Sequence, residues 1–318
     1  MEAYILEKNG GLENLKKTTL ATPTVKAGEV LIQTKSIGIN PIDIQVRGSK
    51  DILGMITGGV FHEHVILGWD VAGIVEQVGD GVIAFKPGDE VYGLLNMPGL
   101  GSTYATKVVA QADQLTHKPE NLSFTSAGAT PMSAMTAWQA VISLANIQKG
   151  DKVLIHAASG GVGHFAVQFA KERGAYVIGT ASGKNEEFVR SLGVDQFLNY
   201  TESPFETKVS NIDVVIDTIN SVEHVLRSIS VIKKGGRLVY LQPHFAESLS
   251  AKLGESVVSG LGVFVNSSGK VLTEISTLIK AGKIAPKITQ VFQFDQLPDA
   301  QAAVESGRAT GKIAVEVK

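Results

Sequence analysis

The chain has 318 residues, of which 44% are hydrophobic and 19% charged, and its formal net charge is −2. That length suits two domains, and the near-neutral charge gives no indication of a nucleic acid or an anionic membrane as partner. The absence of cysteine excludes disulfides, thiolate zinc sites, iron–sulfur clusters and cysteine nucleophiles. We expect a cytoplasmic protein, because residues 1–10 lack signal-peptide character and no apolar run reaches the length of a membrane span.

Residues 1–121 read as a β-rich domain. Val30–Ser36 and Val71–Val78 alternate apolar and polar residues as half-buried strands do, and glycine- and proline-rich turns follow at 78–81 and 85–91. Short, closely spaced strands of this kind predict a barrel-like β domain. Strand-like text returns after Lys287, so we expect residues 285–318 to rejoin this domain.

The pattern becomes helical from Asn121. Ser123 is placed to cap a helix that runs to Thr130, where Pro131 interrupts it. A second helix is predicted from Ser133 to Asn146.

The segment from Lys152 to Lys171 predicts a buried strand, a glycine-rich turn and an amphipathic helix. Ala158, Gly160 and Gly163 occupy the three positions of the dinucleotide fingerprint, with alanine in the first place. A plain strand–helix turn is the alternative, but a second strand at 175–180 completes the βαβ unit that the fingerprint needs. We therefore expect the helix N-terminus to hold a pyrophosphate, through Ala158, Ser159, Gly160, Gly161, Val162 and Gly163.

Strands and helices alternate through this second region. The predicted strands are Val153–Ala157, Ala175–Ala181, Gln196–Asn199, Ile212–Asp217, Arg237–Leu241 and Gly262–Val265. Six strands with helical connections predict an α/β fold whose second domain is a Rossmann-type, doubly wound parallel sheet. The expected domains are residues 1–121 with 285–318, and residues 122–284.

The end of the second predicted strand favours NADPH over NADH. An NAD site would place an acid at this strand end, but the segment from Gly179 onward has no acid before Glu186. Ser182 and Lys184 can instead bind a 2′-phosphate through a hydroxyl and an ammonium group. The alternative for Lys184 is a solvated loop charge.

With these motifs in place, the chain resembles the zinc-independent quinone oxidoreductase branch of the medium-chain dehydrogenase/reductase superfamily, which includes zeta-crystallin-like proteins and enone oxidoreductases. The landmarks are GINPID at 38–43, LGWDVAGIVEQVGDGVIAFKPGDEVYG at 67–93, the glycine turn and SGRATGK at 306–312. The resemblance covers essentially the whole length, and it implies a GroES-like catalytic domain beside the Rossmann domain.

The resemblance also implies how this chain departs from the zinc-dependent members. Those members carry a cysteine where this chain has Asn40, and Gly-His-Glu where it has Gly68-Trp69-Asp70. Neither asparagine nor tryptophan offers the ligand that a catalytic zinc needs. We expect no metal, and we interpret the His62-Glu63-His64 segment as solvated surface rather than a ligand set.

By the same resemblance, Asn40 and Thr136 line the site beside the nicotinamide, although a turn asparagine and a self-bonding helical threonine are the alternatives. Further cofactor contacts are implied for Tyr200, Thr218, Leu241, Gln242, Val263, Val265 and Arg308. A tyrosine of related enzymes is replaced by Gln45, which makes a proton donor at that position doubtful. The loop at 48–64 is expected to form a pocket wall, and Trp69 either stacks on a quinone or packs in the core.

The resemblance implies an NADPH-dependent oxidoreductase that passes hydride to quinones or to the carbon–carbon double bond of α,β-unsaturated carbonyls. The alternative is a cofactor-binding sensor of the same fold, since fold does not determine function. A homodimer is expected, joined at residues 261–266, where pairing would cover a strand edge.

Overall fold

The computed structural model describes residues 1–59, 64–242, 245–256 and 259–318. In chain order the strands are β1 (Glu2–Leu6), β2 (Leu15–Thr19), β3 (Glu29–Ile39), β4 (Val65–Ile66), β5 (Asp70–Val78), β6 (Glu90–Leu94), β7 (Lys107–Gln111), β8 (Leu115–His117), β9 (Lys152–Ile155), β10 (Tyr176–Ala181), β11 (Gln196–Asn199), β12 (Ile212–Asp217), β13 (Ile232–Tyr240), β14 (Ser259–Gly262), β15 (Ile288–Gln293) and β16 (Lys312–Glu316). The helices are α1 (Pro41–Gly48), α2 (Lys50–Thr57), α3 (Phe124–Gly128), α4 (Pro131–Trp138), α5 (Gly163–Glu172), α6 (Glu186–Ser191), α7 (Val222–Ile229), α8 (Ala246–Ser256), α9 (Gly269–Lys280) and α10 (Leu297–Glu305). Across the described ranges, no helix combines the length and apolar character needed to cross a membrane.

The chain divides into two compact units. Unit 1 comprises Met1–Met132, Val265–Gly282 and Pro286–Lys318, and unit 2 comprises Ser133–Phe264 and Lys283–Ala285. These divisions differ from the expected domain boundaries at residues 122–132, at 265–282 and at residue 285. The reason is packing: α3 lies against β3 and β5, and α9 lies against β8. In α9, the Ser276 hydroxyl is 2.6 Å from that of Tyr92, and both residues are buried.

Unit 1 is built around β3. This long strand pairs with β5 along one edge, and on the other edge with β16 near its end and β7 near its start. The resulting sheet runs β15-β16-β3-β5-β6-β8, and a smaller sheet has the order β2-β1-β4. The pairing of β16 with β3 shows that the C-terminal tail rejoins this unit, as the sequence predicted.

Unit 2 contains a parallel sheet of order β11-β10-β9-β12-β13-β14. Numbered from the first strand, this is the 3-2-1-4-5-6 order of the doubly wound dinucleotide-binding fold, whose strand order reverses between β9 and β12. Apolar residues of β9 and β12 such as Leu154 and Val215 are fully buried, as expected for strands covered on both faces. The predicted fold class is confirmed.

Four local predictions were wrong. The predicted loop at 48–64 contains α2, whose N-cap Ser49 accepts a hydrogen bond from the Ile52 N–H at 3.3 Å. Pro131 is the first residue of α4 rather than the interruption of a helix, and at the first position of a helix the missing N–H costs nothing. The helix predicted to reach Asn146 changes after Trp138 into a π-helix over Gln139–Leu144. The last strand ends at Gly262 rather than Val265, because its ladder partner β13 ends at Tyr240.

Candidate functional site

Asn40 lies at the end of β3 and is the N-cap residue of α1. Its side chain is buried and donates from Nδ2 to Asp70 Oδ2 at 2.9 Å. The Lys312 ammonium group donates to Asn40 Oδ1 and, at 3.1 Å, to the Ile39 carbonyl oxygen. Beyond the capping box that it forms with Asp43 at the start of α1, the Asn40 side chain therefore bonds groups distant in the sequence, which a turn asparagine that satisfied only its own backbone would not do. The Asp70 carboxylate holds the nitrogen of the amide and the Lys312 ammonium group holds its oxygen, which fixes the orientation of the amide.

Two buried carboxylates and one buried ammonium group surround this amide. Asp70 accepts a 2.7 Å hydrogen bond from the Met132 N–H and lies 3.9 Å from Lys312 Nζ, while Asp43 accepts from the Asn40 N–H. Asp43, Asp70 and Lys312 are each at most 3% exposed. Sequence reasoning missed these residues as parts of the site, although all three stand within the motifs that carried the resemblance.

Burial controls the protonation of this cluster. It raises the pKa of Asp43 to about 7, against the hydrogen bond from Asn40, which lowers it. Burial also raises the pKa of Asp70 and lowers the pKa of Lys312, whose charge the two carboxylates favour. Because two buried carboxyl groups face a single ammonium group, the site favours a proton on Asp43 near neutral pH.

The raised pKa of Asp43 predicts a pH-dependent stability that Asp43→Asn removes. Between about pH 4, the unfolded value, and pH 7, the folded protein holds a proton that the unfolded chain releases. The contribution of Asp43 is thus complete below pH 4 and is lost as the pH rises through 7, by about 1.4 kcal/mol per pH unit. In urea titrations, the wild-type free energy of unfolding should fall about 2 kcal/mol more than that of the variant between pH 5 and 7.

The matched control is Asp51→Asn, because Asp51 is an exposed acid of α2 in the same unit. Its stability profile should run parallel to that of the wild type. A parallel profile for Asp43→Asn as well would show that Asp43 keeps an ordinary pKa.

Trp69 fills the second position at which the zinc-dependent proteins differ. Its indole is fully buried and donates to the Gly99 carbonyl oxygen at 2.7 Å. Of the two interpretations from sequence, core packing therefore agrees with the structure and quinone stacking does not. Phe61, His62 and Glu63 lie outside the described residues, and His64 is exposed.

The glycine turn of unit 2 links β9 to α5 at the point where the strand order reverses. The Ala158 N–H donates to the Thr180 carbonyl oxygen of β10 at 2.9 Å, and Gly160 N–H donates to the Ala157 carbonyl oxygen at 2.8 Å. A Cβ on Gly163 would lie 2.1 Å from the same oxygen, whereas one on Gly160 would meet it at 3.2 Å. Gly163 is therefore required for close packing at the helix start. Gly160 leaves the backbone open to approach, so the cradle fits a dinucleotide pyrophosphate.

The residues predicted to select the nucleotide lie at the neighbouring strand end. Asn185 Nδ2 donates to Ser159 Oγ at 3.0 Å and to Ser182 Oγ at 3.4 Å, which ties the glycine turn to the end of β10. The Tyr200 N–H donates to the Ala181 carbonyl oxygen at 3.3 Å, and both Tyr200 and Lys184 are exposed. The glycine turn, Ser182, Lys184 and Tyr200 therefore all follow the carboxyl ends of neighbouring strands of this sheet. Asn185 is a bridging residue that sequence reasoning did not identify.

The other predicted contacts are more dispersed. Thr218 follows β12 and donates to the His156 carbonyl oxygen at 2.9 Å, and Leu241 and Gln242 follow β13. Val263 and Val265 lie beyond β14 rather than on it, and the Val263 N–H bonds the Tyr240 carbonyl oxygen at 2.9 Å. Thr136 is a buried residue of α4 in unit 2, whereas Arg308 is exposed after α10 in unit 1.

Two family models match the chain, the alcohol dehydrogenase GroES-like domain over residues 26–120 and the zinc-binding dehydrogenase model over residues 192–315. Among curated relatives, the mitochondrial NAD(P)H oxidoreductase RTN4IP1 of Danio rerio is 33% identical, with 100% of this chain and 91% of that protein covered. The chloroplastic NADPH-dependent alkenal/one oxidoreductase of Arabidopsis thaliana is 30% identical, with 99% and 79% covered.

Among solved structures, the quinone oxidoreductase from Coxiella burnetii superposes with a TM-score of 0.93 at 30% identity, and the alignment covers 100% of this chain and 99% of that one. These likenesses extend over both compact units, and they agree with the strand order of unit 2 and with the motifs found in the sequence. The chain therefore belongs to the medium-chain dehydrogenase/reductase superfamily, as an oxidoreductase of the quinone and enone reductase branch that uses a nicotinamide cofactor.

Proposed function

We propose that the chain transfers hydride from NADPH to quinones or to the carbon–carbon double bond of α,β-unsaturated carbonyls, without a catalytic zinc. The observation that carries this proposal concerns Asn40 and Trp69, the two positions at which this chain differs from the zinc-dependent members. The Asn40 amide is held by Asp70 and Lys312, and Trp69 is locked in the core. Asn40 and Trp69 offer a catalytic zinc neither the thiolate nor the imidazole that the zinc-dependent members supply at these positions. The names of the Arabidopsis and Coxiella relatives, an alkenal/one oxidoreductase and a quinone oxidoreductase, support the two substrate classes.

NADPH supplies the hydride, and the protein supplies binding, orientation and charge. Asn40 can take part because an amide has two N–H groups and two acceptor lone pairs. Asp70 uses one N–H, while Lys312 and the capping box with Asp43 occupy the amide oxygen, so one N–H donor remains for a ribose or substrate oxygen. We propose Thr136 as a second polar contact. The turn at 158–163 would hold the pyrophosphate, and Thr218, Leu241, Gln242, Val263, Val265 and Arg308 would complete the contacts.

NADPH is proposed over NADH because the end of β10 carries Ser182 and Lys184 instead of an acid. Lys184→Ala should weaken NADPH binding roughly tenfold, or ~1.5 kcal/mol, the lower end for a charged hydrogen bond because Lys184 is exposed. NADH affinity should not change, since NADH lacks the 2′-phosphate. Fluorescence titration of both nucleotides measures the two affinities.

Lys234→Ala provides the control, because Lys234 is an exposed lysine of β13 in the same unit. Its affinity for both nucleotides should equal that of the wild type. Unchanged NADPH affinity in Lys184→Ala would refute the 2′-phosphate assignment, and an equal loss for NADH would show a general electrostatic effect.

The reaction itself is tested by following NADPH absorbance with a quinone, a short enone, a 2-alkenal and, with NADP, a simple alcohol. We expect NADPH oxidation with the quinone or enone, slower oxidation of NADH, and activity that survives chelator treatment. Tight NADPH binding without turnover on any acceptor would favour the sensor hypothesis. The cytoplasmic location and the homodimer stay predictions, and gel filtration with light scattering would test the second.

A further inference from the structure

A group of titratable side chains lies where the strand order of unit 2 reverses, and the proposed function does not use it. His156 directly follows β9, Asp217 ends the neighbouring β12, and His224 lies in the first turn of α7. The backbone N–H of His156 donates to the Ile216 carbonyl oxygen at 3.0 Å, which holds the two strand ends side by side. One ligand-type atom from each of His156, Asp217 and His224 lies within 4.8 Å of the others.

The polar atoms of this group converge on one carboxylate oxygen. His224 Nδ1 is 2.9 Å from Asp217 Oδ2, and the Ser228 hydroxyl donates to the same oxygen at 2.7 Å. Ser228 Oγ is also 3.2 Å from His156 Nε2. His156, Asp217 and Ser228 are at most 1% exposed, while the His224 side chain is 21% exposed. The group is therefore a buried cluster with one partly open side.

Outer partners orient these side chains. Thr180 Oγ1 lies 3.1 Å from His156 Nδ1, which leaves Nε2 as the ring atom that faces the cluster. The Ile219 N–H donates to Asp217 Oδ1 at 3.0 Å, which leaves Oδ2 for the cluster. The ring of Phe205 packs edge-on against His156 with centroids 4.5 Å apart. Outer hydrogen bonds and an apolar wall of this kind are what fix ligand side chains around protein-bound metals.

We infer that His156, Asp217 and His224 form a binding site for a divalent transition metal of the zinc, cobalt or nickel class. Two imidazole nitrogens and one carboxylate oxygen suit these ions, whereas magnesium and calcium require oxygen ligands. Metal–ligand bonds of about 2.0–2.2 Å place the ligand atoms of a four-coordinate ion roughly 3.3 Å apart. Small side-chain adjustments reach that spacing, with the Ser228 hydroxyl or a water as fourth ligand.

This site is separate in composition from the position discussed for a catalytic zinc, because it includes neither Asn40 nor Trp69. A metal here would act on the cofactor turn rather than on the substrate. His156 is adjacent to Ala157 at the start of that turn, and its carbonyl oxygen accepts from Thr218. The inference does not depend on the proposed reaction, since metal binding can be measured without turnover.

The test is a titration of the full-length, chelator-treated protein with Co²⁺, followed by visible absorption. The wild type should bind one equivalent with the absorption of a low-coordinate nitrogen–oxygen site, and its thermal unfolding midpoint should rise with added Co²⁺. His224→Gln should weaken this binding at least about 100-fold, since loss of an outer partner alone costs about 10–100-fold. Glutamine can still donate to Asp217, so the variant should fold as the wild type does.

The control is His64→Gln. His64 is an exposed histidine that follows a glutamate in the sequence, as His224 does, but it is not part of the cluster. This variant should bind Co²⁺ as the wild type does. Three results would each overturn the inference: no Co²⁺ uptake by the wild type, unchanged uptake in His224→Gln, or loss of the site in His64→Gln. Any of them would leave the cluster as a hydrogen-bonded part of the core.

Discussion

Lys312→Met is expected to lower the free energy of unfolding by about 3–5 kcal/mol, the usual cost of removing one partner from a buried ion pair. Lys312 is 3% exposed on β16, and its ammonium group lies 3.9 Å from Asp70, which is fully buried. Methionine preserves the length and apolar stem of the side chain but leaves the Asp70 charge without a cation. The neighbouring Asp43 is itself an acid, so it cannot supply the positive charge that Asp70 loses. Urea denaturation at neutral pH measures the change.

Lys16→Met is the matched control, since Lys16 is an exposed lysine on β2 of the same unit. Its stability should stay within about 0.5 kcal/mol of the wild type. The double variant Lys312→Met/Asp70→Asn should recover part of the loss, because the unpaired charge is then gone. A Lys312→Met protein as stable as the control would show that Lys312 is uncharged in the folded state. No recovery in the double variant would assign the loss to packing.

The parallel sheet of unit 2 could be predicted because its signals are local. Each buried strand is a short apolar run ended by glycine or polar residues, and the fingerprint turn lies between a strand and a helix that are adjacent in the chain. The errors arose where pairing decides the result. The last strand ends at Gly262 because β13 ends at Tyr240, and nothing in the sequence near 262 records that.

The cluster around Asn40 could not be predicted for a related reason. Lys312 reaches Asn40 across 272 positions of sequence, and its segment reads as an ordinary strand with a charged first residue. Only the pairing of β16 with β3, in which Ile313 faces Ile39, places that lysine against the start of α1. Helix α2 is different, because Ser49 is a local N-cap signal in the sequence that the loop prediction for 48–64 did not take into account.

Gly163→Ala is expected to raise the NADPH dissociation constant at least about tenfold and to lower stability by about 1–3 kcal/mol. An added Cβ would lie 2.1 Å from the Ala157 carbonyl oxygen and 3.0 Å from Ala158 Cα. Both are backbone atoms of the turn, so no side-chain rotation relieves the overlap, and the first turn of α5 must move away from the strand end. That movement would displace the N–H groups proposed to hold the pyrophosphate.

Two further glycines separate steric damage from cofactor contact. Gly254→Ala, in α8 of the same unit, meets no atom within 4 Å, so it should keep NADPH affinity and stability, with a small gain from helix propensity. In Gly160→Ala the new Cβ meets the Ala157 carbonyl oxygen at 3.2 Å, a contact that a slight shift relieves. If the turn binds the pyrophosphate, Gly160→Ala should therefore fold normally and still bind NADPH poorly. Normal NADPH affinity in both Gly160→Ala and Gly163→Ala, measured by fluorescence titration, would place the nucleotide elsewhere in the protein.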